Sequence, residues 1–179
     1  PELHGVRGLS VEQILAYDQL VASIPEFDIR WNDDGSGSPI YLSGRPLQRS
    51  RSTFTGGSIH EATVRAFFAA FSGLLDIPDA GEAFVPGAAV RGENGHTHLK
   101  YSQLRSGIPI YGKEVICGLL PNGDLDLFMG RYTPASRRSI GSFTLGAEDA
   151  ITAAAAHAGV PARAESANAD RALLTNNGE

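Results

Sequence analysis

The chain has 179 residues, is 42% hydrophobic and carries a formal net charge of −5, so it can bury one good core, or one core with a small satellite, and it offers no Lys/Arg cluster interleaved with aromatics for nucleic acid. No apolar run approaches the roughly 18 residues of a membrane span, and Pro1-Glu2-Leu3-His4 lacks the pattern of a secretory signal, although a chain whose signal had been removed would look the same. One cysteine, Cys117, excludes an internal disulfide and a thiolate metal site, and does not fix the compartment.

In chain order, Ser10-Val11-Glu12-Gln13 reads as a capping box opening a helix, whose apolar stripe is expected to be Val11, Ile14, Leu15 and Val21, with Pro25 as its stop. Phe27 to Asn32 alternates, with Phe27, Ile29 and Trp31 on one face, and so predicts a half-buried strand. Asp33 to Ser38 turns the chain and Pro39 to Gly44 returns it as a second strand, making a hairpin. From Arg45 to Gly57 the composition is that of a loop. Ser58-Ile59-His60-Glu61 is a second capping box, and it opens the longest predicted helix, with Val64, Phe67, Phe68, Phe71, Leu74 and Leu75 at helical spacing and Pro78 as terminator. Each large side chain buried from that face contributes roughly 1.5 to 3 kcal/mol. Asp79 to Asn94 reads as a Gly- and Pro-rich connection.

The stretch from His96 to Arg131 organises the rest, because three β-type runs follow one another there. Thr97 to Leu104 alternates; Arg105-Ser106-Gly107 turns; Ile108 to Leu120 continues, with Gly112 marking a bend or bulge. Asn122-Gly123 predicts a two-residue type I′ hairpin that sets Leu120 against Leu125, Gly118 against Leu127, Ile116 against Met129, and Cys117 against Phe128. After a basic linker containing Arg137 and Arg138, the composition changes: Gly146 to Gly159 is an alanine-rich helix, and Arg171 to Thr175 a lone strand. The domain boundary is expected between Thr133 and Phe143, giving a first domain over 1–134 and a partial second one over 140–179.

Chemical motifs are few. His60-Glu61-Ala62-Thr63-Val64 begins like the zinc-protease H-E-x-x-H, but Val64 stands where the second imidazole must be. His96 and His98 share a strand face without a third ligand, and are read as lying on an exposed strand edge. Asp33-Asp34-Gly35 lacks the ligand spacing of a calcium loop. Cys117 is placed mid-strand as a small buried thiol. No catalytic residue, cofactor site or metal site is expected, and the basic stretches with Arg49, Arg51, Arg137 and Arg138 are the expected processing linkers.

Leu99 to Val115, with Gln103 at the end of one strand and the bend Gly107-Ile108-Pro109-Ile110-Tyr111-Gly112, followed by Leu120-Pro121-Asn122-Gly123-Asp124 and Gly130-Arg131-Tyr132, resembles the fungalysin/thermolysin propeptide domain. Tyr41-Leu42-Ser43-Gly44 is similar to that family's early hairpin, and Leu145 to Ile151 to the opening helix of the PepSY domain that follows it in such precursors. The resemblance implies an α+β fold, a curved antiparallel sheet packed on a long helix in the cystatin-like manner, with a partial second small α+β domain. It further implies a secreted or periplasmic location and a role as the N-terminal prosegment of a thermolysin-like zinc metallopeptidase, inhibiting and helping to fold a partner catalytic domain that holds the zinc. Such a segment acts by shape, over an area on the order of 1,600 Å². Gln103, Gly107, Pro109, Tyr111 and Gly112 are the residues of the bend expected to matter for structure or contact. Two other classes stay open: a stand-alone periplasmic or extracellular PepSY-type binding module that regulates a protease or senses a ligand, and an enzyme in its own right.

Overall fold

The computed structural model describes residues 8–50, 59–135 and 147–158. Its architecture is α+β: a six-stranded antiparallel sheet in the order β1-β2-β6-β5-β4-β3, with the first four helices packed on one face. The elements are α1 (Val11–Ser23), β1 (Phe27–Trp31), β2 (Pro39–Gln48), α2 (Ile59–Ala70), α3 (Ser72–Leu75), α4 (Ala80–Ala83), β3 (Phe84–Arg91), β4 (Thr97–Arg105), β5 (Ile108–Leu119), β6 (Leu125–Arg131) and α5 (Ala147–Ala158). The expected capping box at Ser58, the linker residues Arg51, Arg137 and Arg138, and the strand at Arg171 to Thr175 lie outside the described residues, as does the boundary between the two expected domains.

The register explains the core. One row of side chains runs across the sheet as Ile29, Leu42, Phe128, Cys117 and Leu99, each paired with the next. Val64, Phe67 and Phe68 of α2 and Leu74 and Leu75 of α3 join that row in a single buried cluster. Phe67 lies 5.6 Å from Phe128 between ring centroids, and Phe68 stacks on Phe84 at 4.8 Å. The long predicted helix is interrupted: Phe71 leaves helical geometry at φ −109, ψ 16, so that α3 packs as a separate turn against α1.

The capping box at Ser10 forms as expected, with Gln13 N–H donating to Ser10 Oγ at 3.1 Å and Ser10 N–H to Gln13 Oε1 at 2.9 Å. The inward face of α1 is the reverse of the predicted one. Gln13, Tyr17 and Leu20 are buried, while Val11, Ile14, Leu15 and Val21 are exposed. The reason is polar as much as apolar. Gln13 Nε2 donates to Gly37 O at 2.7 Å and Leu74 O at 3.2 Å, tying the helix to the first hairpin and to α3, and Tyr17 meets Phe27 and Trp31 of β1. A satisfied buried amide and an aromatic edge outweigh a stripe of bare aliphatics.

Two connections are strands. β2 continues through Gln48 into the expected loop, and beyond it Ser50 N–H donates to Asp124 Oδ1 at 2.6 Å, so the stretch holding Arg49 is tied down on both sides of that exposed arginine. β3 occupies most of the segment read as a connection after Asp79. It pairs with β4 and leaves every residue but Phe84 exposed.

The two hairpins exchange their turn types. Ser106 (φ 50) and Gly107 (φ 75) form the two-residue turn with both central φ angles positive, closing Arg105 on Ile108. At the other hairpin only Gly123 is left-handed, at φ 85; Leu120 N–H donates to Asp124 O and Gly123 N–H to Leu120 O, a three-residue loop with Pro121 at its head. Leu119, not Leu120, therefore faces Leu125. An irregularity between Gly118 and Leu119 restores the count, and Gly118–Leu127, Cys117–Phe128 and Ile116–Met129 pair as the sequence predicts.

Candidate functional site

Two features face outward without a covering element among those described. The first is the sheet surface opposite the helices. Tyr41, Met129, Ile116 and Lys100 form a row across β2, β6, β5 and β4, with Arg30 beside Tyr41 on β1. A parallel row carries Ser43, Leu127, Gly118 and His98. The apolar centre is bordered by charges that neutralise one another: Lys100 bonds Glu114 at 2.8 Å, Arg30 lies 3.6 Å from Asp28, and its guanidinium sits 5.1 Å from the Tyr41 ring centre. Such a face suits a protein surface with an apolar core and polar rim better than a polyanion.

At one end of this face lies a cleft of about 660 Å³, bordered by Phe27, Asp28, Tyr41, His96, His98 and Asp126. The two histidines that share a strand face in the sequence do come together here. They are not on an edge, because β3 covers the outer side of β4. Among the described residues no group of three or more His, Cys, Asp or Glu is placed to hold a metal ion, and no described helix is long and apolar enough to cross a membrane.

The second feature is the bend. Between the pairs Ser102–Glu114 and Leu104–Pro109, one residue of β4, Gln103, stands opposite four of β5, Ile110 to Lys113. β5 bulges away from its neighbour here, with Gly112 at φ 69, and the bulge shifts the alternation: Ile110 and Val115, five residues apart, are both buried, while Tyr111 is 74% exposed. The ladder bonds given up by the bulge are replaced by a side chain. Gln103 is buried and its amide pairs with the backbone of Thr133 in both directions, Nε2 donating to Thr133 O and Thr133 N–H donating to Oε1, each at 2.8 Å. A primary amide presents the donor and acceptor of a peptide group at the same spacing, so Gln103 acts as a short piece of strand. Arg105 Nη2 reaches Ala135 O at 3.4 Å, and Ala135 N–H donates to Asp76 O at 2.7 Å, which pins the chain leaving β6 to the bend and to the end of α3. Tyr132, between Phe84 and Phe128, anchors the same segment, and burial together with the charge of Asp76 pushes its phenol well above the ordinary range.

Gln103, Gly107, Pro109, Tyr111 and Gly112 are thus one structural unit, as their closeness in sequence suggests; the partner of Gln103, Thr133, is 30 residues away and carries no sequence signal. Gln103→Ala is expected to cost about 2 to 3 kcal/mol, because it leaves both backbone groups of Thr133 short of a partner. Urea unfolding checks this against Ser102→Ala, on the open face next door, which should be near neutral. Cys117 belongs to the core. Its thiol is fully buried and burial pushes its pKa up, so a disulfide reagent should label the native protein only at the rate of opening. Labelling as fast as a free thiol would remove Cys117 from the core.

No family model matches the sequence, and no curated protein does. Among solved structures, the Bacillus megaterium YpeB C-terminal domain is similar over 82% of this chain and 74% of that one, at 13% identity and a TM-score of 0.41. That level of likeness bears on neither activity nor partner.

Proposed function

We propose that the chain is the N-terminal prosegment of a secreted or periplasmic thermolysin-like zinc metallopeptidase, an inhibitor and folding aid for the catalytic domain. The observation that carries this reading is the built bend. The residues on which the resemblance to fungalysin/thermolysin propeptides rests, from Gln103 through Gly107 and Pro109 to Gly112, make up the turn, the bulge and the amide clasp of one rigid hairpin. The sheet face with Tyr41, Met129, Ile116 and Leu127, uncovered among the described residues, supplies a charge-balanced surface of the kind a partner domain needs. On this reading the segment contributes no catalytic side chain and binds no metal itself; the zinc belongs to the peptidase.

Titrating the chain against the separately produced mature peptidase, with hydrolysis of a small peptide as readout, tests the proposal. Activity should fall as the chain approaches stoichiometry, and denatured peptidase should refold faster in its presence. Untouched activity at a large molar excess, with refolding unchanged, would sink the prosegment reading and leave the PepSY-type binding module in its place.

A further inference from the structure

The sequence holds three Asn-Gly pairs, at 94–95, 122–123 and 177–178, and the last lies outside the described residues. Asn-Gly is the dipeptide most prone to lose ammonia, because glycine has no side chain to hinder attack by its own backbone nitrogen on the preceding side-chain amide. The fold puts two of these pairs in the same kind of turn, side by side. Gly92 N–H donates to His96 O at 2.8 Å and Gly95 N–H to Gly92 O at 3.0 Å; Leu120 N–H donates to Asp124 O and Gly123 N–H to Leu120 O, each at 2.8 Å. In each turn the asparagine Oδ1 accepts the N–H two residues on, from His96 or Asp124, at 3.1 Å. A Cβ built on Gly95 would stand 3.4 Å from Pro121 Cγ, so both turns meet the same solvent at the same end of the sheet. While a turn is closed, its glycine nitrogen keeps its proton in a hydrogen bond and the asparagine side chain is held forward, so attack has to wait until the turn opens.

What holds each turn closed differs. The turn 120–124 joins β5 and β6, two central strands, and is flanked by the fully buried Leu119 and Leu125. Asn122 Nδ2 donates to Asp124 Oδ2 at 3.0 Å, and Asp124 Oδ1 accepts Ser50 N–H at 2.6 Å. Gly123 is itself buried, with Ser50 and His60 beside it. The turn 92–96 instead joins β4 to the edge strand β3. Ala89, Val90 and Arg91, which lead into it, are exposed, and an irregularity between Pro86 and Ala89 separates them from Phe84, the buried residue of that strand. Among the described residues the Asn94 side chain is held through Oδ1 alone. Local opening takes less free energy at an exposed edge hairpin than between two packed central strands.

We infer that Asn94 is a site of spontaneous deamidation in the folded protein, and that Asn122, the same dipeptide in the same kind of turn, is shielded from it. In the opened turn the Gly95 nitrogen gives its proton to hydroxide and bonds to Asn94 Cγ; the Cγ–Nδ2 bond breaks and that nitrogen leaves as ammonia. Water then opens the cyclic imide at one or the other carbonyl, giving aspartate or isoaspartate. Isoaspartate routes the backbone through Cβ, one methylene longer, and so displaces the Arg91–Thr97 pair beside the turn. Either product adds a negative charge next to Glu93. The test is peptide mapping by mass spectrometry of the full chain after incubation in mildly alkaline buffer, once folded and once in urea, with isoaspartate told from aspartate by fragmentation. In the folded chain Asn94 should convert at least about tenfold faster than Asn122, and in urea the two rates should agree within about twofold, because opening no longer limits either. Equal rates in the folded chain, or faster conversion of Asn122, overturn the inference. So does a ratio that persists in urea, since the sequence neighbours and not the fold would then set it.

Discussion

Gly130→Ala is expected to cost about 4 kcal/mol or more, a large share of ordinary domain stabilities of roughly 5 to 15 kcal/mol. Gly130 adopts φ 146, and a Cβ built there would overlap the Glu114 carbonyl oxygen and lie 2.6 Å from Val115 Cα. Those atoms are backbone of β5, paired with β6 through Glu114–Arg131 and Val115–Gly130, so no side-chain rotation can make room. The clash can be relieved only by parting the two central strands, and with them the row Leu42, Phe128 and Cys117 on which α2 packs. Gly81→Ala is the control: nothing lies within 4 Å of a Cβ at that site, and alanine in the short helix α4 should be neutral or slightly stabilising. Thermal denaturation by circular dichroism separates them. A Gly130→Ala midpoint within about 3 °C of wild type would mean that β5 and β6 do not approach as described.

The same glycine shows what was legible in the sequence. The sheet could be laid out from β4, β5 and β6 because each has its own signal: alternation from Thr97 to Leu104, the bend at Gly112, and turn residues at Ser106-Gly107 and Asn122-Gly123. The register at Ile116, Cys117 and Gly118 follows from counting and matches the structure although the turn differs, because the longer loop and the irregularity beside it cancel. The Asn-Gly pair predicts a left-handed φ at Asn122. Its side chain instead bonds forward, Oδ1 accepting from Asp124 N–H at 3.1 Å and Nδ2 donating to Asp124 Oδ2 at 3.0 Å, which suits a right-handed first half of the turn with Pro121 ahead of it.

Elements whose stability comes from elsewhere in the fold were not legible. β3 is Phe-Val-Pro-Gly-Ala-Ala-Val-Arg, too small and too interrupted to signal a strand by propensity. It is one because β4 offers an edge and because Phe84 is held by Phe68 and Tyr132. The buried face of α1 departs from the predicted one for a related reason. The helix carries two stripes at helical spacing, and aliphatic content favoured Val11, Ile14, Leu15 and Val21; the partners that select Gln13, Tyr17 and Leu20 sit at Gly37, Leu74, Phe27 and Trp31. The candidate site divides in the same way. Its local half, Gly107 to Gly112, is written in consecutive residues, whereas the clasp to Thr133 and the sheet face opposite α2 depend on long-range register.

Phe68→Ala should cost about 3 to 5 kcal/mol and should loosen β3 before the rest of the sheet. Phe68 is 1% exposed and meets three rings: it stacks on Phe84 at 4.8 Å and 23°, stands edge-on to Tyr101 at 5.4 Å and 88°, and lies 5.9 Å from Phe67. Phe84 is the sole buried residue of β3, so the ring of Phe68 is the main apolar contact holding that edge strand to the helix layer. Removing it creates a cavity between α2 and β4 that cannot close easily, because Val64 and Phe67 are already packed against other neighbours in the cluster. Hydrogen exchange read alongside urea unfolding tests both parts. In Phe68→Ala the amides of β3 should lose protection under conditions where those of β5 and β6 keep theirs, whereas Val90→Ala, at a position 61% exposed in the same strand, should change stability by less than about 0.5 kcal/mol. If β3 and β5 lose protection together, β3 is held by its ladder to β4 and not by the aromatic contact, and the cost of Phe68→Ala is spread over the whole core.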